Sequence, residues 1–199
     1  MYVTIYHNPQ EVTEEEWRKD ALLLPAWRRQ RAVRYRFLID RVLCTKAYLL
    51  LREGLSLHYG IEGNPTFGYV DHNKPVLKEY PHIHFNLSHC RRGVLCVIDD
   101  QPVGCDIEEM KEKLDIEMMK RCFNEQEIEE IVHANHPCIA FTQSWTMKES
   151  VLKLTGEGLR DDLHSLLQEE TMSRLNITTV VVEEEGYVYS VARYKAAFE

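Results

Sequence analysis

The chain has 199 residues, 44% of them hydrophobic and 28% charged, with a formal net charge of −8. That length buries a full core as one domain or two small ones, and no run of about 18 apolar residues predicts a membrane-spanning helix. The acidic total argues against general nucleic-acid binding, and the first residues lack a basic segment followed by an apolar one, so no signal peptide is visible and a cytoplasmic protein is expected.

The charge is uneven. Residues 1–101 hold 14 Lys and Arg against 12 Asp and Glu, a net of +2, whereas residues 102–199 hold 10 against 20, a net of −10. A basic first half suits an anionic ligand. The six cysteines form no C-x-x-C pair and read as small core residues.

In chain order, residues 1–6 alternate as a strand. Thr13 with Glu16 predicts a capping box opening a helix to about Leu23, ended by Pro25. Residues 26–52 read as one helix. It carries Arg28, Arg29, Arg31, Arg34, Arg36 and Arg41, then an apolar face through Val42, Leu43, Ala47, Leu50 and Leu51. The arginines are either a solvated surface or a phosphate-binding patch. Residues 60–73 are turn-rich and irregular. Residues 85–108 predict a three-stranded antiparallel meander, with turns at 91–93 and 99–102. Helices follow over 115–122, from Asn124 to about Ala134 with Glu127 completing a capping-box pattern, and from Pro137 to Leu154 or Thr155, stopped by Gly156. Residues 176–183 and 187–194 form a C-terminal hairpin. The expected boundary between two helix-and-strand halves falls near Gln101-Pro102, giving 1–101 and 102–199.

The third strand of the meander, residues 101–108, carries two carboxylates two residues apart. Alternation along a strand puts Asp106 and Glu108 on one face, with Cys105 and Ile107 on the other, and an open, doubly acidic face points to a divalent cation. The pairs His82/His84 and His133/His136 have no companion ligand at a metal spacing and read as ordinary histidines. Glu149 and Lys153, four apart, have an i,i+4 ion pair as their plain account. No Walker A, G-x-G-x-x-G or G-x-S-x-G motif is present.

Four separated segments remain. They are Lys74-Pro75, Phe85-Asn86-Leu87-Ser88-His89, Gly104-Cys105-Asp106-Ile107-Glu108, and the block from Trp145 through Lys148-Glu149-Ser150 and Lys153 to Gly156, Gly158 and Leu159. In this order they resemble the 4′-phosphopantetheinyl transferases of the larger, surfactin-synthetase-activating type, over about residues 25–160. The resemblance implies an α+β fold, a pseudo-twofold pair of similar halves with the active site in the cleft between them. It implies a monomeric enzyme that moves the phosphopantetheine arm of coenzyme A onto a serine of an apo acyl or peptidyl carrier protein, releasing adenosine 3′,5′-bisphosphate.

By the same resemblance Asp106, Glu108 and Glu149 hold Mg²⁺. Two bare carboxylates ~4 Å apart repel by about 4 kcal/mol at an effective dielectric near 20, so a third makes sense mainly beside a cation. Lys153 contacts the pyrophosphate, Ser88 and His89 line the phosphates, and Lys74 and Pro75 lie against the nucleotide. Arg41 grips the 3′-phosphate, with Arg28 and Arg31 as further basic contacts. Glu127 is a proposed base, with a metal-bound water as its competitor. Asn73 replaces a family glycine and Cys90 a family serine; neither change removes a charge or a metal ligand. Asp-x-Glu with another Glu would also serve a metal-dependent phosphohydrolase, which leaves Ser88-His89 unexplained. A non-catalytic coenzyme A-binding or carrier-binding module would not need all four charged residues.

Overall fold

The structure, a computed structural model, describes residues 1–70, 74–156 and 163–195. Strand β1 (Tyr2–His7) leads through a 3-10 turn to Thr13. The Thr13 hydroxyl accepts from the Glu16 amide and the Glu16 carboxylate accepts from the Thr13 amide. This is the expected reciprocal cap, and it opens α1 (Glu14–Leu22).

Where one helix is predicted over 26–52, two form: α2 (Ala26–Ala32) and α3 (Leu38–Tyr59). The break is held by Arg41, whose guanidinium donates to the carbonyls of Tyr35 (2.9 Å) and Arg36 (3.2 Å). Those carbonyls take a side chain in place of the helical amides they lack. Residues 26–37 have no apolar stripe, and α2 buries only Ala32, so core packing does not oppose the break. Helix α3 instead buries Val42, Leu43, Ala47, Leu50, Leu51 and Leu55, and it ends at Gly60 in the left-handed region (φ 63°).

Two short strands, β2 (Phe67–Tyr69) and β3 (Pro75–Leu77), pair antiparallel in and just beyond the stretch expected to be irregular. Next come β4 (His84–His89), β5 (Gly93–Asp99) and β6 (Val103–Glu109). The meander is only partly realised. β4 and β5 pair as expected, but β6 does not join them. The second edge of β5 is taken by β1, matched residue for residue from Tyr2↔Ile98 to His7↔Gly93. β6 therefore enters another sheet.

That part of the chain holds α4 (Ile116–Cys122), α5 (Glu125–Val132), α6 (Pro137–Thr155), α7 (Glu169–Arg174), β7 (Leu175–Val182) and β8 (Tyr187–Tyr194). Asp115 caps α4, the Asn124–Glu127 capping box forms at α5, and Gly156 (φ 74°) ends α6, all at the predicted places. Helix α7 was not foreseen. The fold is α+β, with antiparallel sheets in the orders β1-β5-β4 and β6-β8-β7. Leu95 and Val97 of β5 share one buried cluster with Val103, Cys105 and Ile107 of β6. The Asn86 side-chain oxygen accepts the Cys105 amide at 3.0 Å, which ties β4 to β6 where no ladder runs. Among the described residues, no helix is long and apolar enough to cross a membrane.

Helix α6 lies so close to β6 that only glycine fits between them. A Cβ on Gly104 would fall 2.1 Å from the Ser150 carbonyl oxygen and 2.2 Å from the Leu154 nitrogen. This contact sets α6 across the strand that carries Asp106 and Glu108.

Candidate active site

Three elements converge on one carboxylate. Asp106 on β6 accepts at Oδ1 from the Ser88 hydroxyl on β4 (2.8 Å) and from the Lys153 ammonium on α6 (2.5 Å). Lys153 Nζ also donates to Ser88 Oγ at 3.0 Å, closing a triangle. Lys153 thus turns to Asp106 and not to Glu149, so the i,i+4 pair is not the contact that forms. A salt bridge to a buried carboxylate with a second hydrogen bond outweighs the modest i,i+4 helix pair. Asp106 is 3% exposed, where an open acidic face was expected. β4 and α6 close over that face and make the residue a polar insert in the core.

Glu108 and Glu149 flank this triangle, half-buried. Burial pushes the Glu108 carboxyl above its ordinary range and the Asp106 charge adds to the push, with Lys111 and the Trp145 side chain pulling the other way. Burial likewise raises Glu149, helped by Asp106 and Glu108 and opposed by Lys153. Burial of Lys153 works to lower its pKa, but the charge and hydrogen bond of Asp106, with Glu149 beyond, outweigh it, and the net shift is upward. The ammonium therefore keeps its proton.

Among the described residues, no three His, Cys, Asp or Glu side chains close into a ready cage for a metal ion. The donor chemistry still fits a hard divalent cation. Asp106 Oδ2 is buried without a hydrogen-bond partner, and both neighbouring carboxylates are raised by burial and mutual repulsion, a strain that a cation relieves.

The other sequence-predicted residues have varied surroundings. His89 stands exposed at the end of β4, next to Ser88. Lys74 donates to the carbonyls of Lys153 (2.6 Å) and Leu154 (3.0 Å), satisfying the C-terminal end of α6 with a cation. Beside it, Pro75 lines a groove of about 410 Å³ together with Val76, Ile83, His84, Phe85 and Val103. Arg28 donates to the Cys44 carbonyl (3.1 Å) and lies over the Tyr48 ring, while Arg31 is exposed on α2. Arg41 is tied to the α2–α3 break and to Glu14. Glu127 is engaged by Lys148 at 2.8 Å. Asn73, Gly158 and Leu159 lie outside the described residues.

Two residues with clear roles went unassigned from sequence. Lys148 is fully buried among three oxygen acceptors. Asn86 holds β6 against β4. A polar residue inside the apolar run Phe85-Asn86-Leu87 was the available signal, because a buried amide side chain demands a partner.

Residues 102–196 match the family model described as the 4′-phosphopantetheinyl transferase superfamily. The chain is 36% identical over 141 residues to the 4′-phosphopantetheinyl transferase psf-1 of Bacillus pumilus, which covers 69% of this chain and 60% of that protein. It is 34% identical over 120 residues to the 4′-phosphopantetheinyl transferase Sfp of Bacillus subtilis (strain 168), covering 59% of this chain and 53% of that protein. A yeast relative, the L-aminoadipate-semialdehyde dehydrogenase-phosphopantetheinyl transferase of Saccharomyces cerevisiae, is 29% identical over 167 residues, covering 77% and 61%. The chain thus spans between half and two thirds of the length of these relatives. The matched segment, which holds Asp106, Glu108, Glu149 and Lys153, is similar to the 4′-phosphopantetheinyl transferase superfamily, as are these relatives.

Proposed function

We propose that this chain transfers the 4′-phosphopantetheine arm of coenzyme A to a serine hydroxyl of an apo acyl or peptidyl carrier protein. Adenosine 3′,5′-bisphosphate leaves. The observation that carries the reading is the Ser88–Asp106–Lys153 triangle, flanked by two carboxylates whose pKa values are raised.

The chemistry needs charge neutralisation at a pyrophosphate, an in-line nucleophile and a proton acceptor. Lys153, held protonated, and the Ser88 hydroxyl supply two adjacent donors from different elements for phosphate oxygens. His89, Lys74 and Pro75 border the same region and would receive the nucleotide, with Arg28, Arg31 and Arg41 as its basic contacts. Asp106, Glu108 and Glu149 would hold Mg²⁺, which when bound neutralises the pyrophosphate and the departing oxygen. Among these carboxylates we assign Glu149, half-buried beside Lys153, Asp106 and Glu108, to accept the serine proton. We further propose that 1–101 and 102–199 act as a pseudo-twofold pair of halves around this cleft, in a cytoplasmic monomer.

The test is to incubate the protein with coenzyme A, Mg²⁺ and several apo carrier proteins and to weigh the carriers. A phosphopantetheine mass gain on at least one carrier is expected. No gain on any of them overturns the proposal, and release of inorganic phosphate in its place would identify a hydrolase.

A further inference from the structure

We propose that Glu127 and Lys148 form a positioning clamp that sets Glu149, in place of an acid–base role for Glu127. The inference rests on the transfer reading above for its catalytic consequence, and on geometry alone for its structural one.

The Lys148 side chain is 0% exposed. Its ammonium donates to the Cys122 carbonyl at the end of α4 (2.9 Å), to the Leu163 carbonyl (2.7 Å) and to Glu127 Oε2 on α5 (2.8 Å). It also lies 4.8 Å from the centre of the Phe123 ring. The same Oε2 accepts the Asn124 amide at 2.8 Å, as the return arm of the α5 capping box. One ammonium and one carboxylate oxygen therefore join α4, α5, α6 and the segment at Leu163.

Lys148 directly precedes Glu149 on α6. Fixing its head group at four points fixes the rotation of the helix at that turn, and so the direction in which Glu149 leaves the backbone. A base must keep a lone pair aimed at the hydroxyl it deprotonates. Glu127 Oε2 is committed to two donors, the Asn124 amide and the Lys148 ammonium, and has no free direction toward a substrate hydroxyl. Glutamine at 127 keeps an oxygen for both donors; alanine keeps none.

The experiment compares Glu127→Gln and Glu127→Ala for transfer kinetics and for thermal unfolding without coenzyme A or metal. The clamp predicts that Gln retains kcat within about fivefold, while Ala loses about a hundredfold, mainly in kcat and not in KM. A Gln variant as inactive as Ala, down about 10²- to 10⁴-fold with unfolding unchanged, would establish a base and overturn the clamp. Full activity in both variants would overturn it too. The unfolding midpoint is expected to drop most for Ala and less for Gln, and an unchanged midpoint for Ala sinks the clamp. This arm stands if the wild type modifies no carrier, a result that would sink the transfer reading alone.

Discussion

Helix α3 lays Leu43, Ala47, Leu51 and Leu55 against Val94, Cys96 and Ile98 of β5 in one apolar cluster. Helix α6 faces its own sheet differently. It buries Thr146 and Ser150 beside Val151, Leu152 and Leu154, and the Thr146 hydroxyl bonds the Ser190 hydroxyl of β8 at 2.8 Å. Each helix crosses a three-stranded antiparallel sheet, and each approaches so closely that a glycine is needed, Gly54 on the helix in one case and Gly104 on the strand in the other. The first interface can only hold the fold together. The second takes up polar groups at the same depth, and it is where the carboxylates and Lys153 sit. A buried polar network is tolerable only when its members are partnered, and the Asp106 oxygen left unpartnered marks where a ligand atom is wanted.

The sharpest challenge to this contrast is a pair of single replacements. Asp106→Asn keeps the shape but removes the charge facing Lys153, and steady-state transfer should fall by about 10²- to 10³-fold. Leu51→Ala should cost about 2–5 kcal/mol of stability in urea unfolding while the folded fraction keeps its turnover. The opposite pattern would show that the two interfaces do not divide the work this way.

Next comes the glycine pair. In Gly104→Ala the new Cβ meets backbone of Ser150 and Leu154 at 2.1–2.2 Å, whereas in Gly54→Ala it meets the side chains of Ile98 and Tyr2 at 2.6 Å. Side chains can yield and backbone cannot, so Gly104→Ala should be the worse of the two, about 3 kcal/mol or more against about 1–2. Equal losses would mean that α6 can shift on β6.

A smaller effect is a pH dependence peculiar to the second region. Glu108 and Glu149 are raised in the folded chain, so the fold binds their protons more tightly than the unfolded chain does. Their contribution therefore falls as pH rises through the carboxylate range and is recovered at low pH. Lys153, also raised, acts in the other window, with its contribution complete below the ordinary lysine pKa and lost above it. The unfolding midpoint of Glu149→Gln, relative to wild type, should rise between acid and neutral pH, and Mg²⁺ should narrow that gap. A gap independent of pH would contradict the shift.

The smallest contrast lies in the two capping boxes. Thr13→Ala should cost about 1 kcal/mol and leave transfer unchanged. Asn124→Ala should cost a similar amount of stability but also lower kcat, because its side chain accepts the Glu127 amide and donates to the His164 carbonyl, holding the start of α5 where Glu127 meets Lys148. Equal kinetics in the two variants would break the link from α5 to the site.

The chain alone determined what depends on neighbours in sequence. Both capping boxes, the glycine stop at Gly156, the run of β5 and the C-terminal hairpin are local hydrogen-bond and periodicity signals, and they formed where expected or within a few residues, whereas the helix expected to end at residue 52 runs on to Tyr59. The α+β class was legible for the same reason, and the four motif segments were legible through their resemblance to a known family. Tertiary structure decided which edges pair and which charges meet. No local pattern could reveal that β1 takes the edge of β5 that β6 would otherwise use. Nor could it reveal that Arg41 closes a break within residues 26–52, that Lys74 caps α6, or that Asp106 is buried. Those outcomes depend on partners dozens of residues away, and a charged side chain goes to whichever buried acceptor the fold brings within reach.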